Sequence, residues 1–158
     1  MSRSDETAVA AYRERFAQIM VDSGMPRMAA RVYIAVLISD AGRYSAAELA
    51  ALLGAGASAI SGAVKYLIQV GLIERGREPG TRRDHYRIHD GTWAEFVSQT
   101  DPLLSRVETV AAEGEHVLGA DTAAGRRLAD TSRFFDFMRE EIKRSMDKWH
   151  RRQQNRTT

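Results

Sequence analysis

The segment Gly54-Ala55-Gly56-Ala57-Ser58-Ala59 has the glycine spacing of a phosphate-cradling turn, and Glu74 follows roughly 20 residues on, where a dinucleotide site places its ribose-binding acid. Its context argues against that chemistry. The preceding residues 46–53 are Ala, Leu and Glu behind a Ser45/Glu48 capping box, not a β-branched strand, and no strand–helix alternation follows to build a parallel sheet. The same glycines read as a helix stop and a turn. Ser58 lacks the trailing glycine of a nucleophile elbow, and no Ser, His and acid set falls in the strand–turn–helix context that motif needs, so no catalytic residue is assigned. His85 and His89, four apart in a segment that reads as a strand, share one face but have no third ligand nearby; a solvated or hydrogen-bonded pair is expected, not a metal site. His116 and His150 lie in polar helical stretches and are expected at the surface.

What remains is small, polar and cationic. Ser58, Ala59, Ser61, Gly62, Lys65 and Tyr66 fall within one helical segment, and Arg82 and Arg83 sit in the turn Glu78-Pro79-Gly80-Thr81-Arg82-Arg83-Asp84. A helix face without bulk lets the backbone approach phosphates and base edges, and Lys65 adds a charge able to reach a phosphate. Two arginines at a turn tip suit an adjacent minor groove or its phosphates. The whole chain does not advertise this: 23 Lys and Arg against 21 Asp and Glu leave a net charge of only +2, so a basic surface has to come from local clustering. The basic residues Lys143, Arg144, Lys148, Arg151 and Arg152 read as favourable charges near a helix C-terminus.

Composition limits the alternatives. At 158 residues the chain can hold one compact domain with a helical extension, not two full enzyme domains. The absence of cysteine excludes a disulfide scaffold, a thiolate zinc site and a thiol redox sensor, and fits a reducing compartment. No apolar run approaches the ~20 residues of a bilayer span, and the first residues do not resemble a secretion signal.

The elements that position these residues follow from periodicity. Val9, Tyr12, Phe16, Ile19 and Met20 form one stripe of a first helix that ends at Gly24; Ala29, Val32, Tyr33, Val36 and Leu37 form a second, from a first turn at Pro26 to a stop at 40–42. A short third helix, capped by Ser45, buries Leu49, Leu52 and Leu53. A fourth, 57–70, buries Ile60, Ala63, Val64 and Leu67 and leaves Ser58, Ser61, Gly62, Lys65 and Gln69 outside. Residues 72–77 and 85–89 read as two strands of a hairpin with a basic tip. Trp93, Phe96 and Val97 suggest a short helix. Asp101 then caps a helix started by Pro102, in which Leu103, Val107, Val110, Gly114 and Val117 alternate spacings of four and three. A long last helix from about Asp121 carries Leu128, Phe134, Phe135, Phe137, Met138, Ile142, Met146 and Trp149 on more than one face, which requires a second surface to bury against; a second chain is the expected one. Trp93, Phe96 and Phe134, Phe135 and Phe137 read as core rather than as the lining of a ligand pocket.

Three helices, a tight turn ahead of a small-faced helix and a basic hairpin predict a mostly α fold: a winged helix-turn-helix domain with N- and C-terminal dimerisation helices. The runs Asp22-Ser23-Gly24-Met25-Pro26-Arg27-Met28-Ala29-Ala30-Arg31-Val32, Ala59-Ile60-Ser61-Gly62-Ala63-Val64-Lys65-Tyr66-Leu67 and Arg77-Glu78-Pro79-Gly80-Thr81-Arg82-Arg83-Asp84-His85-Tyr86 resemble the GbsR branch of the multiple-antibiotic-resistance-regulator (MarR) family. Relatives often open the recognition helix with Ser-Pro, where this chain has Gly56-Ala57.

The resemblance implies a homodimeric transcriptional regulator, acting as a repressor in the cytoplasm at the nucleoid. It would bind a pseudo-palindromic double-stranded operator and be released by a small-molecule effector of unassigned identity, with no cofactor. The expected organisation is an N-terminal helix (1–24) joining the dimerisation region, a winged helix-turn-helix domain (25–90), C-terminal dimerisation helices (91–150) and a disordered tail (151–158). Ser58, Ala59, Ser61, Gly62, Lys65, Tyr66, Arg82 and Arg83 are the expected DNA contacts; Phe16, Leu103, Val107, Val110, Phe135, Met138, Ile142 and Trp149 are the expected dimer contacts. The rival from another class is a winged-helix protein-interaction module, because the fold alone does not dictate DNA.

Overall fold

The structure, a computed structural model, describes residues 3–77, 80–89 and 91–156, with side chains from residue 5 onward. Glu78 and Pro79 of the hairpin turn, Asp90 at the expected domain end and the last two residues of the expected tail lie outside the described residues. The chain forms two compact units, 1–92 and 93–158. In the first, the order is α1 (Arg3–Asp22), α2 (Arg27–Leu37), β1 (Arg43–Ser45), α3 (Ala46–Leu53), α4 (Ala57–Gln69), β2 (Glu74–Arg77) and β3 (Asp84–Arg87), with α5 (Thr92–Ser98) starting at the boundary. The second unit holds α6 (Asp101–Leu118) and α7 (Ala123–Gln154). This is the expected mostly helical winged helix-turn-helix.

Helix α2 is the axis of the first unit. Ala29, Ala30, Val32, Tyr33, Ile34, Ala35 and Val36 are all buried, because α1, α3 and α4 all pack on it. The single stripe expected from sequence is therefore too narrow: Ile34 and Ala35 are buried as well, whereas Leu37 is half-buried. Pro26 serves as the N-cap instead of the first helical residue. Helix α1 departs further from expectation. It turns Arg13, Ala17 and Met20 inward, so of the expected apolar stripe Met20 is buried, Phe16 is half-buried, and Val9, Tyr12 and Ile19 are exposed. Arg13 is carried inward with them, its buried Nε 3.9 Å from Glu14 Oε1, too far for a hydrogen bond.

The third helix is set by its caps. The Ser45 hydroxyl accepts from the Glu48 amide at 3.2 Å, and the Glu48 carboxylate accepts from the Ser45 amide at 2.7 Å, closing the expected capping box. The Ser45 amide, then its hydroxyl, hold the Glu48 carboxyl below the usual range. At the other end Gly54 takes the left-handed conformation, with φ 59°. Leu49 and Leu53 are buried as expected, but Leu52 is exposed, since an eight-residue helix turns only one narrow side inward.

The sheet has three strands in the order β1-β3-β2, not the two of a hairpin. Both pairings are antiparallel; Tyr44 faces Tyr86 across one, and Arg75 faces Tyr86 across the other. The hairpin strands are shorter than expected: Leu72 and Ile73 precede β2 as buried plugs, and His89 lies past the end of β3, so His85 and His89 do not share a strand face.

In the second unit α6 and α7 pack as a helical hairpin. Thr100, not Asp101, is the N-cap of α6. Asp101 instead accepts from Arg139 Nε at 2.9 Å, while Arg139 Nη1 reaches Glu108 at 2.6 Å, which ties the start and the middle of α6 to α7. Hydrogen bonding to Arg139 keeps the Asp101 carboxyl below its usual range. Helix α7 continues through Gln154, so the first four residues of the expected disordered tail are helical. At the α6–α7 turn the Thr122 hydroxyl accepts from the Gly125 amide at 2.9 Å, and Gly125 is buried so tightly that a Cβ would overlap the Gly119 carbonyl oxygen. Gly125→Ala is therefore expected to lower stability by about 2 kcal/mol or more, through backbone displacement rather than helix propensity. Denaturant unfolding of the intact chain checks this; an unchanged midpoint would show that the turn relaxes freely.

Candidate nucleic-acid interface

The site is built on α4. Ile60, Ala63, Val64 and Leu67 occupy one side of the helix and are buried, with α2 and α3 packed against it, and this fixes its rotation. The opposite side is then set by sequence: Ser58, Ala59, Ser61, Gly62 and Lys65 are exposed, and Tyr66 is half-buried at the edge. The helix opens at Gly56, whose extended backbone (φ −73°, ψ 157°) precedes the first turn without a side-chain cap. Its first-turn amides are thus available to an anion, as at other helix N-termini that face phosphate. Gly62 has no structural reason to be glycine. It lies in mid-helix at negative φ, and a Cβ there would meet nothing within 4 Å.

The wing stands beside this helix. Its strand arginines are tied to the sheet: Arg87 Nε donates to Glu74 at 2.6 Å, Arg75 and Arg77 lie 3.7 and 3.8 Å from Asp84, and the Arg75 guanidinium sits 5.9 Å from the centre of the Tyr86 ring. Arg82 and Arg83 are different. Both are exposed in the turn after Gly80, where the Arg83 amide donates to the Thr81 hydroxyl at 3.4 Å. Sequence reading missed a further part of this surface, a groove of about 750 Å³ lined by Ala46, Ala47 and Ala50 of α3, Ser61 and Lys65 of α4, and Arg75 of β2. The signal was present as the alanine run of α3, whose small side chains leave room beside α4 where larger ones would fill it.

The expected dimer residues fall on the other elements. Leu103, Val110 and Trp149 are exposed, whereas Val107, Phe135, Met138 and Ile142 are half-buried, as is Phe16 on α1. His85 lies half-buried on β3, and His116 and His150 are exposed.

A helix-turn-helix with its second helix presented on a polar face beside a basic wing defines the winged-helix DNA-binding class. Comparison with known proteins agrees. A model described as the MarR family matches residues 23–84, and one described as MmpR5-like MarR family transcriptional regulator matches residues 91–152; together they cover well over half of the chain. The chain is 28% identical to the HTH-type transcriptional regulator MmpR5 of Mycobacterium tuberculosis (strain ATCC 25618 / H37Rv) over 129 residues, 81% of this chain and 78% of that protein. Among solved structures, a crystal structure of a transcriptional regulator superposes with a TM-score of 0.79 at 24% identity, covering 91% of this chain and 99% of the other. TrmBL2, an archaeal chromatin protein described as showing a novel mode of DNA binding, shares the fold at a TM-score of 0.55 and 16% identity, over 67% of this chain and 40% of its own. The chain belongs to the MarR family, a family of transcriptional regulators and not of enzymes.

Gly62 separates folding from binding. Gly62→Ala is expected to stabilise the fold by about 0.5–1 kcal/mol, because the site is helical, exposed and unobstructed. If the exposed face of α4 meets DNA, the added methyl projects from that face and should weaken duplex binding at the same time. Thermal unfolding and a gel-shift titration on the same sample check both arms; raised stability with unchanged DNA affinity would remove Gly62 from the interface.

Proposed function

We propose that two copies of this chain form a homodimer that binds a pseudo-palindromic double-stranded operator, with Ser58, Ala59, Ser61, Gly62, Lys65 and Tyr66 of α4 in the major groove and Arg82 and Arg83 of the wing on the flanking minor groove or its phosphates. The observation that carries this reading is the exposed, unbulky face of α4, with a glycine that the fold itself does not need. MarR regulators bind DNA and act as dimers. Pairing through the terminal helices is supported by Leu103, Val110 and Val117, seven residues apart and all exposed on α6, and by the exposed Phe134, Phe137 and Trp149 on α7. No described helix is by itself long and apolar enough to cross a membrane. In this reading the dimer works at the nucleoid in the cytoplasm, represses by occupying its operator, and is released by a small molecule to which no residue is assigned. Placement in the GbsR-like branch rests on the motifs of the winged helix, beside the MmpR5-like match over 91–152.

A selected palindromic duplex with half-site centres about one helical turn apart tests the reading. Affinity should fall steeply with salt, and Arg82→Ala with Arg83→Ala should flatten that dependence by roughly one unit of slope per lost phosphate contact while leaving folding unchanged. Salt-insensitive capture of a protein partner without duplex binding would favour the protein-interaction module. For the dimer, Leu103→Glu with Val110→Glu should leave each copy folded, since both sites are exposed in one chain, yet bury two unpaired carboxylates at a pairing surface at a cost of several kcal/mol. Sedimentation should then show a monomer; a persistent dimer would place the interface elsewhere.

A further inference from the structure

Arg31 is the point where three helices of the first unit meet. Its Nε lies 3.0 Å from both carboxylate oxygens of Glu14 on α1, and its Nη2 lies 3.0 Å from Glu14 Oε1. The same Nη2 donates to the Leu53 carbonyl at 3.3 Å. The guanidinium is only about one-fifth exposed, so both contacts are partly shielded from water. Leu53 is the last residue of α3, where carbonyls lack helical partners and the helix end carries partial negative charge; a planar cation is the group best suited to hold it. Gly54 then turns through the left-handed region, the Ala55 amide returns to the Ala50 carbonyl at 3.0 Å, and Gly56 caps α4. The chain thus has two residues between the carbonyl that Arg31 holds and the cap of the recognition helix.

Nothing in the packing core requires this arrangement. A charge-assisted Arg–carboxylate hydrogen bond, with Nε shared between both carboxylate oxygens, restricts direction as well as distance, whereas the apolar contacts of α1 with α2 do not. Glu14 is also carried by the helix whose other face leaves Val9, Tyr12 and Ile19 exposed. We propose that Arg31 is a positioning residue for DNA binding: it ties the turn ahead of α4 to α1, so that paired copies present their recognition helices at one fixed separation. This rests on the reading that two copies pair and offer α4 to a palindrome. Arg31 itself touches no DNA in this account.

The test compares Arg31→Met, Arg31→Lys and Glu14→Gln with the wild-type intact chain on three duplexes: the palindrome, a single half-site, and palindromes with the spacing altered by one or two base pairs. For Arg31→Met the expected result is a loss of about tenfold or more on the palindrome, because the linked second contact loses its effective-concentration advantage, with half-site affinity within about twofold of wild type and a flattened preference among spacings. Glu14→Gln, which removes charge at a partly exposed position and leaves the Leu53 hydrogen bond, should shift the same way by less, and Arg31→Lys should recover part of the loss. An equal loss on half-site and palindrome would mean simple damage to the turn and would overturn the proposal, as would unchanged palindrome affinity and spacing preference. If Arg31→Met does not fold, Glu14→Gln decides by the same comparison. A wild-type chain with no preference for the palindrome over the half-site would overturn the dimer reading itself.

Discussion

The first unit is organised by the packing of α4 in the helical core around α2. Ile60, Ala63, Val64 and Leu67 recur at spacings of three, one and three, so they define one side of the helix and leave no equivalent alternative. Turning α4 by one residue would bring Ser61 and Lys65 inward, and a buried unpaired ammonium costs several kcal/mol. The core that enforces this is nearly all hydrocarbon, with Tyr33 enclosed so thoroughly that desolvation pushes its phenol up to about 12. Rotation of α4, and with it the composition of the face offered to solvent, is therefore decided by residues that never approach a ligand.

The second unit obeys the opposite constraint. Two helices share one interface, and among the described residues of α6 and α7 the fully buried ones are small, Ala111, Gly125 and Ala129, while larger side chains such as Val107, Leu128 and Phe135 are half-buried. Gly114 makes room on α6 for the Leu128 side chain of α7, whose Cδ1 lies within 2.7 Å of where a Cβ on Gly114 would stand. Other bulky residues are exposed: Leu103, Val110 and Val117 of α6 and Phe134 and Phe137 of α7. Each such side chain gains about 1.5–3 kcal/mol when it is fully buried. A hairpin that cannot bury them within itself is stabilised by a surface that can.

Much of the first unit was legible because its signals are local. The Ser45/Glu48 capping box, the stop at Gly54 and the four-residue core side of α4 each follow from spacings within one or two turns. β1 was not legible: three residues carry no measurable alternation, and Arg43–Ser45 becomes a strand only because β3 pairs with it. The stripe on α1 was legible as an apolar face, but only Met20 of it is buried within one chain, since periodicity locates such a face without saying what covers it. Asp101 looked like a cap because it precedes Pro102, but its partner Arg139 lies 38 residues away. The Arg31–Glu14 pair and its reach to Leu53 were invisible for the same reason; the groove beside α4 left a signal in the alanine run of α3, but takes shape only once α3, α4 and the sheet are assembled.

Guanine-N7 methylation protection on a selected duplex reads the major groove, where α4 is proposed to lie. A bound dimer should give two protected patches about one helical turn apart on one face of the duplex, symmetric about a central dyad. Saturated binding to the duplex without protection of any major-groove guanine in the site would contradict it.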